Sequence, residues 1–346
     1  MRIIIPKPSS VGFILSYKCN ASCRHCMYAC TPKWSADWIM ENDLKNLLSQ
    51  LARTIEPSPY GPEFVSLSHG LHFTGGEPFL NFKLLSLAVE AATDYGIPST
   101  FVETNCYWCS DDEMTRKKLL LLKSKGLKGI MISVNPFYLE YVPFERTERC
   151  VTISSEIFGQ NAMVYQWEYF KRFKHLGIKN RMPLEEYLKL DNWDNFFREV
   201  EFFMMGKATY HLGDELFRYF PKYTSEVLCH EPCWPPFLRD WHNHIDNYGN
   251  YMPGFCGGIS LGDCHKLDEL LKEGLDLKNY PILDYIVQAD FDGLLQFAQE
   301  HGYLPNSDGY YSKCHLCVDI RKYMVKNNDF QELRPIEFYQ HLDENL

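Results

Sequence analysis

Four short apolar runs, VGFILSY from Val11, SHGLHFT from Ser68, STFVE from Ser99 and GIMISV from Gly129, each suit a buried strand. Helical patterns separate them. Leu44, Leu47, Leu48 and Leu51 recur at helical spacing after the first. Asn81 is placed to cap a helix carrying Leu84, Leu85, Ala88, Ala91 and Ala92 and closed by Gly96. Ser110 with Glu113 has the capping-box spacing for a third helix that stops at Gly126. Strand and helix in strict alternation, joined by short loops, imply parallel βαβ units with right-handed connections. Four such units can be read. Beyond Pro136 the pattern blurs: PFERTER at Pro143–Arg149 reads as a solvated loop, the aromatic stretch from 145 to 173 fits helix or strand, and 194–205 reads as helix. YQWEYF from Tyr165 reads as core. A complete or partial barrel and an open doubly wound sheet both satisfy these observations.

The chain has 346 residues, 45% of them hydrophobic, enough for one barrel-sized domain with an appendage. Its net charge is −10 and no stretch concentrates Lys and Arg, so nucleic acid is not the expected partner. No run approaches eighteen apolar residues, and MRIIIPKPSSVGFIL lacks a cleavage signature, so no membrane and a cytoplasmic location are expected. Thirteen cysteines, an odd count in a large chain, point to reduced thiols that ligate metal or iron–sulfur clusters rather than to a disulfide framework, and so to an oxygen-sensitive, anaerobic setting.

Three of them stand in CNASCRHC, at Cys19, Cys23 and Cys26, directly after the first strand. A [4Fe–4S] cube normally takes four cysteines. With three, one iron keeps an open position, the same division that separates structural from catalytic zinc. Placed after a strand, the loop would lie at the C-terminal edge of the sheet, where α/β folds keep their active sites. The Cys-x3-Cys-x2-Cys run, paired with Gly75-Gly76-Glu77-Pro78 after the second strand, resembles the radical S-adenosylmethionine (radical SAM) enzymes.

That resemblance implies a partial (β/α)6 TIM-like barrel with S-adenosylmethionine on the unique iron, and reductive cleavage to a 5′-deoxyadenosyl radical that abstracts hydrogen from substrate. It implies His25 near the adenine; Gly75, Gly76 and Glu77 at the methionyl amino group; and Ser133 and Asn135 toward ribose, carboxylate or substrate. Asn135 stands where Asp is frequent. Asn105 resembles the Asn of a Thr-Asn-Gly element in which Cys106 replaces Gly. Including Cys30, the run approaches a ferredoxin spacing, so a fully ligated electron-transfer cluster is the alternative; zinc lacks a matching histidine pair or CxxC in this region.

Prolines at 221, 232, 235 and 236 mark a boundary, giving domains 1–222 and 223–346. The second begins with a hairpin pattern, WHNHIDNYGNYM from Trp241, turning at Asn247–Asn250. Helical stretches at Leu267–Glu273 and Leu283–His301 follow, then KCHLCVDIRKYM, a CxxC opening a helix. Cys233, fifteen residues, Gly249, six residues and Cys256, followed by Cys314-x2-Cys317, resemble SPASM and twitch auxiliary-cluster domains. The implied ligands of a second [4Fe–4S] cluster are Cys233, Cys256, Cys314 and Cys317, with Cys229 or Cys264 as substitutes and zinc as the alternative. Cys106 and Cys109 suit a further cluster with Cys30, a hydrogen-atom donor or inert thiols; Cys150 reads as structural. His242 and His244 fit exposed strand polarity or a metal.

The implied partners are a flavodoxin- or ferredoxin-type electron donor and a peptide or small-molecule substrate. An iron–sulfur electron carrier and an activase of a glycyl-radical enzyme are the other readings.

Overall fold

A computed structural model of the chain describes residues 1–35, 37–190, 203–212, 221–230, 233, 237–327 and 329–344. They fall in two compact units, one of Pro8–Cys23 and Cys30–Phe202, the other of Met1–Lys7, Arg24–Ala29 and Phe203–Leu346.

In the first unit, strands β1 (Ser10–Ile14), β2 (Gly70–Thr74), β3 (Phe101–Thr104), β4 (Gly129–Ser133) and β5 (Ala162–Tyr165) lie side by side in chain order, all parallel. Helices α1 (Glu41–Leu51), α2 (Phe82–Asp94), α3 (Asp112–Ser124) and α4 (Phe144–Phe158) separate them. A mixed α/β architecture with a parallel central sheet is thus what the alternating pattern specifies. Register runs from Ser10 opposite Gly70 in the first pair to Ser133 opposite Tyr165 in the last. One face carries Leu71, Phe73, Val102, Ile130 and Ile132, all fully buried. On the other, Phe101 and Met131 pack with Val65, Leu67, Met163 and Tyr165. Burial on both faces makes the strands continuous apolar runs rather than alternating ones.

Asn81 caps α2, accepting from Leu84 N–H at 3.1 Å. The third helix begins one residue later than its Ser110 signal. Asp111 is the cap, accepting from Met114 N–H at 2.8 Å, because its carboxylate serves that role and adds a favourable charge at the helix start. PFERTER is not a loop. It opens α4, which buries Phe144, Thr147, Cys150, Val151, Ser154 and Ile157 while its charged residues face outward. A single turn at Gly159–Asn161 then delivers β5. The expected helix at 194–205 lies outside the described residues except for 203–205.

In the second unit, Asn243–Ile245 pairs antiparallel with Tyr251–Met252. Gly249 in the turn has φ +82°, and a Cβ there would meet the His265 ring at 2.5 Å. Helices Leu267–Glu273, Pro281–Val287, Phe291–Glu300 and Lys313–Asn327 follow. The hairpin histidines are buried rather than exposed. His244 Nδ1 lies 2.8 Å from Gly254 O, and burial lowers its pKa to about 3, so it is neutral. No helix among the described residues is long and apolar enough to cross a membrane.

Candidate active site and auxiliary cysteine cavity

The loop after β1 is fixed by backbone bonds from the end of β2. Gly76 N–H donates to Ser16 O at 2.9 Å and Glu77 N–H to Lys18 O at 3.1 Å. Both glycines are required by that closeness: a Cβ on Gly76 would lie 1.9 Å from Lys18 O, and one on Gly75, at φ +128°, 2.5 Å from Ser16 O. The glycines therefore serve first to seat this loop against the strand end that leads to Cys19. Cys19 N–H in turn donates to Thr31 O at 3.3 Å.

Glu77 turns inward. Its carboxylate accepts from Thr104 Oγ1 at 2.9 Å, Asn105 N–H at 2.9 Å and Phe79 N–H at 3.1 Å. Burial pushes its pKa up to about 8, and the three donors oppose that shift without cancelling it. Asn105 Nδ2 donates to Asn20 Oδ1 at 3.0 Å and approaches Cys19 Sγ at 3.9 Å. Cys19, Glu77 and Asn105 are thus joined at the C-terminal ends of three adjacent parallel strands.

Ser133 and Asn135 are both buried and engaged within the fold. Ser133 Oγ donates to Glu103 Oε1 at 2.8 Å. Asn135 Oδ1 accepts from Phe137 and Tyr138 N–H, capping the one-turn helix Pro136–Leu139. Glu103 was not a sequence candidate. It also accepts from Thr74 Oγ1 at 2.8 Å, bridging β2, β3 and β4, and burial raises its pKa. A carboxylate inside the apolar run STFVE was the signal available. Cys23 is buried in this unit. His25 and Cys26 belong to the second unit, where Cys26 O accepts from Lys207 N–H at 3.0 Å; desolvation keeps His25 neutral.

In the second unit Cys233, Cys256, Cys314 and Cys317 line one cavity of about 170 Å³. Burial raises the Cys233 thiol and pushes Cys256 and Cys314 up to about 12, and the charge of neighbouring thiols adds to it. Cations offset that cost. Lys313 Nζ donates to Cys233 Sγ at 3.2 Å, and the buried Arg321 bonds Gly257 O and Tyr339 Oη at 2.9 Å each. Among the described residues, Arg321 Nε and both Nη atoms of Arg239 on the same wall have no hydrogen-bond partner. Four thiolates facing a cation-rimmed cavity fit an anionic [4Fe–4S] group. Lys313 and Arg321 were missed, though Cys314, Cys317 and Arg321 share a helix face by spacing. Cys229 and Cys264 do not line the cavity; Cys229 Sγ donates to Phe291 O at 3.3 Å.

Residues 11–131 match a family described as a 4Fe-4S single cluster domain. That span contains both the cysteine triplet and the GGEP turn. The chain is thus similar, over this span, to domains that hold one [4Fe–4S] cluster. It is 24% identical over 135 residues to a protein of Bacillus subtilis (strain 168) named putative peptide biosynthesis protein YydG, and spans 38% of that relative's length. Among solved structures, BtrN in complex with AdoMet and 2-DOIA aligns at 14% identity with a TM-score of 0.48, over 86% of this chain and 91% of that one. Native anSMEcpe with bound AdoMet aligns at 13% identity with a TM-score of 0.43, over 77% and 81%.

Proposed function

We propose that this protein is a radical SAM enzyme that cleaves S-adenosylmethionine reductively and oxidises a peptide. One observation carries the reading: the backbone pairing of Gly76 and Glu77 with Ser16 and Lys18, which ties the GGEP turn to the cysteine loop and leaves Cys19, Glu77 and Asn105 in one bonded group. Cys19, Cys23 and Cys26 would hold a [4Fe–4S] cluster, which would supply the electron for reductive cleavage of the nucleotide. Glu77 holds the β2 and β3 ends together and, with its fixed donors, orients Asn105 toward the cysteine loop. The glycines keep the turn close enough for main-chain groups to meet a ligand. Cys233, Cys256, Cys314 and Cys317 would hold a second cluster, which would supply an electron acceptor for substrate oxidation. The peptide assignment is supported by the name of the Bacillus subtilis relative. The domain division at 222–223 and a flavodoxin- or ferredoxin-type donor belong to the same reading.

After anaerobic reconstitution and dithionite reduction, the enzyme turns S-adenosylmethionine into 5′-deoxyadenosine. Cys19→Ala, Cys23→Ala and Cys26→Ala each abolish that product, whereas Cys314→Ala retains uncoupled cleavage. Equal loss in all four variants removes the division of roles. No product from wild type removes the enzyme reading and leaves an electron carrier.

A further inference from the structure

Three cysteines that neither cluster uses come together in the first unit. Cys106, Cys109 and Cys150 are each fully buried, and their sulfurs lie within 4.8 Å of one another. Two come from a turn at the end of β3, closed by Cys109 N–H donating to Cys106 O at 3.0 Å. The third comes from the middle of α4, whose Arg149 donates to Cys109 O at 2.8 Å and holds helix and turn together. We propose that these three thiolates bind one structural, thiophilic closed-shell ion, zinc, during folding.

The distances favour an ion over a disulfide. A zinc–sulfur bond of about 2.3 Å sets tetrahedral sulfurs about 3.8 Å apart, so the three atoms need only small shifts to converge on one centre. A disulfide would bring two sulfurs to about 2.05 Å and leave the third thiol unused. Full burial also denies access to a soluble thiol partner, yet suits an ion captured before the unit closes, because metal binding and folding are then one event. The backbone supplies an independent argument. Cys106 has φ +67°, a conformation that costs a residue with a Cβ on the order of 1–3 kcal/mol and costs glycine almost nothing. Retaining a thiol there requires a compensating interaction, and a shared ion provides one. Binding is a ligand exchange: three thiols lose their protons to solvent as three sulfur–zinc bonds replace bonds to water, with no change of oxidation state.

Cys106→Gly is the discriminating variant, since it removes one ligand while relieving the backbone. Protein is isolated anaerobically from medium containing both metals, without reconstitution, and its zinc and iron are measured by mass spectrometry. Wild type should carry about one zinc per chain. Cys106→Gly and Cys150→Ser should lose it with iron unchanged. Cys314→Ser should keep it, which separates this site from the cavity in the second unit. Cobalt added to zinc-stripped wild type should give thiolate-to-cobalt charge-transfer absorption that Cys106→Gly lacks. Equal zinc in wild type and Cys106→Gly, or loss of iron in place of zinc, overturns the proposal. The readout is independent of nucleotide cleavage, so it stands or falls apart from the enzymatic reading.

Discussion

Two of the Cys-x-x-Cys pairs, Cys106 with Cys109 and Cys314 with Cys317, have identical spacing and opposite surroundings. The first pair sits in a sealed turn with Cys150, with no exposed sulfur. Its charge is settled locally: burial raises Cys109, but hydrogen bonds from Cys106, Cys150 and Thr115 and the Arg149 charge outweigh that and pull it down to about 5. The second pair opens a helix and faces a cavity rimmed by Lys313, Arg321 and Arg239. Room and countercharge therefore distinguish the cavity that suits the proposed cluster from the sealed set that suits the proposed single ion. Spacing alone does not.

The comparison breaks most directly through iron content. Cys256→Ser or Arg321→Leu should lower iron in the reconstituted protein by about half, four of about eight atoms per chain. Removing Arg321 is expected to act as strongly as removing a ligand, since it takes the most deeply buried guanidinium from beside the cavity thiols while Lys313 and Arg239 remain. Cys150→Ser should leave iron unchanged. If Cys150→Ser lowers iron by the same fraction, the two thiol sets do not differ as argued.

Glu77 tests the buried chemistry next to the sealed set through its bonds to Thr104 and Asn105. Its folded pKa is raised from 4.5 to about 8. Between those values the unfolded chain has lost the proton and the native state still holds it, so stability falls as pH rises through that window and levels off above it. The loss attributable to Glu77 has a ceiling of about 5 kcal/mol. Glu77→Gln, which cannot ionise, should flatten the decline of Tm between pH 5 and 8 while removing 5′-deoxyadenosine formation. An unchanged pH slope would show that the carboxylate ionises normally in the fold.

How far the sequence reveals this arrangement depends on how local each signal is. Strands β1 to β4 are legible because each is an apolar run bounded by turn residues, and Asn81 caps the helix it should. β5 is not, because AMVY follows α4 after only one turn and α4 itself hides behind PFERTER, whose charges occupy the outer face of a helix that buries Phe144 and Thr147. Misreading that helix also isolates Cys150, which reaches Cys106 and Cys109 only once α4 packs beside the β3 turn. The four cavity cysteines follow from a resemblance in spacing, but Glu103 does not, since its partners Thr74 and Ser133 come from separate strands.

Asp111 offers a smaller test on the sealed side. It caps α3 two residues after Cys109, with Met114 N–H at 2.8 Å. Asp111→Ala should cost about 1 kcal/mol of stability in thermal or urea unfolding. It should also quicken zinc loss to a chelator, since the cap anchors the turn that presents both sulfurs, while iron content stays at the wild-type value. A cap loss that slows or leaves unchanged the release of zinc would argue that the turn is held from the Arg149 side alone.

The finest distinction lies in a single cation on the cavity side. Lys313 Nζ bonds Cys233 Sγ and stands 3.5 Å from the Phe291 ring centroid, so its charge is held close to one prospective ligand. Adding an electron to a thiolate-bound cluster makes it more negative, and both a nearby cation and an N–H···S bond favour that state. Lys313→Met keeps much of the aliphatic bulk and removes both effects. The reduction potential of the second cluster should therefore fall, on the order of tens of millivolts, in a redox titration followed by electron paramagnetic resonance. The same titration on Cys106→Gly should leave that potential unmoved, because no thiol of the sealed set belongs to the cavity wall. A potential that is unchanged or rises in Lys313→Met would mean that the lysine does not favour the added electron, and the cations on that wall would then shape the thiolates rather than the electron they receive.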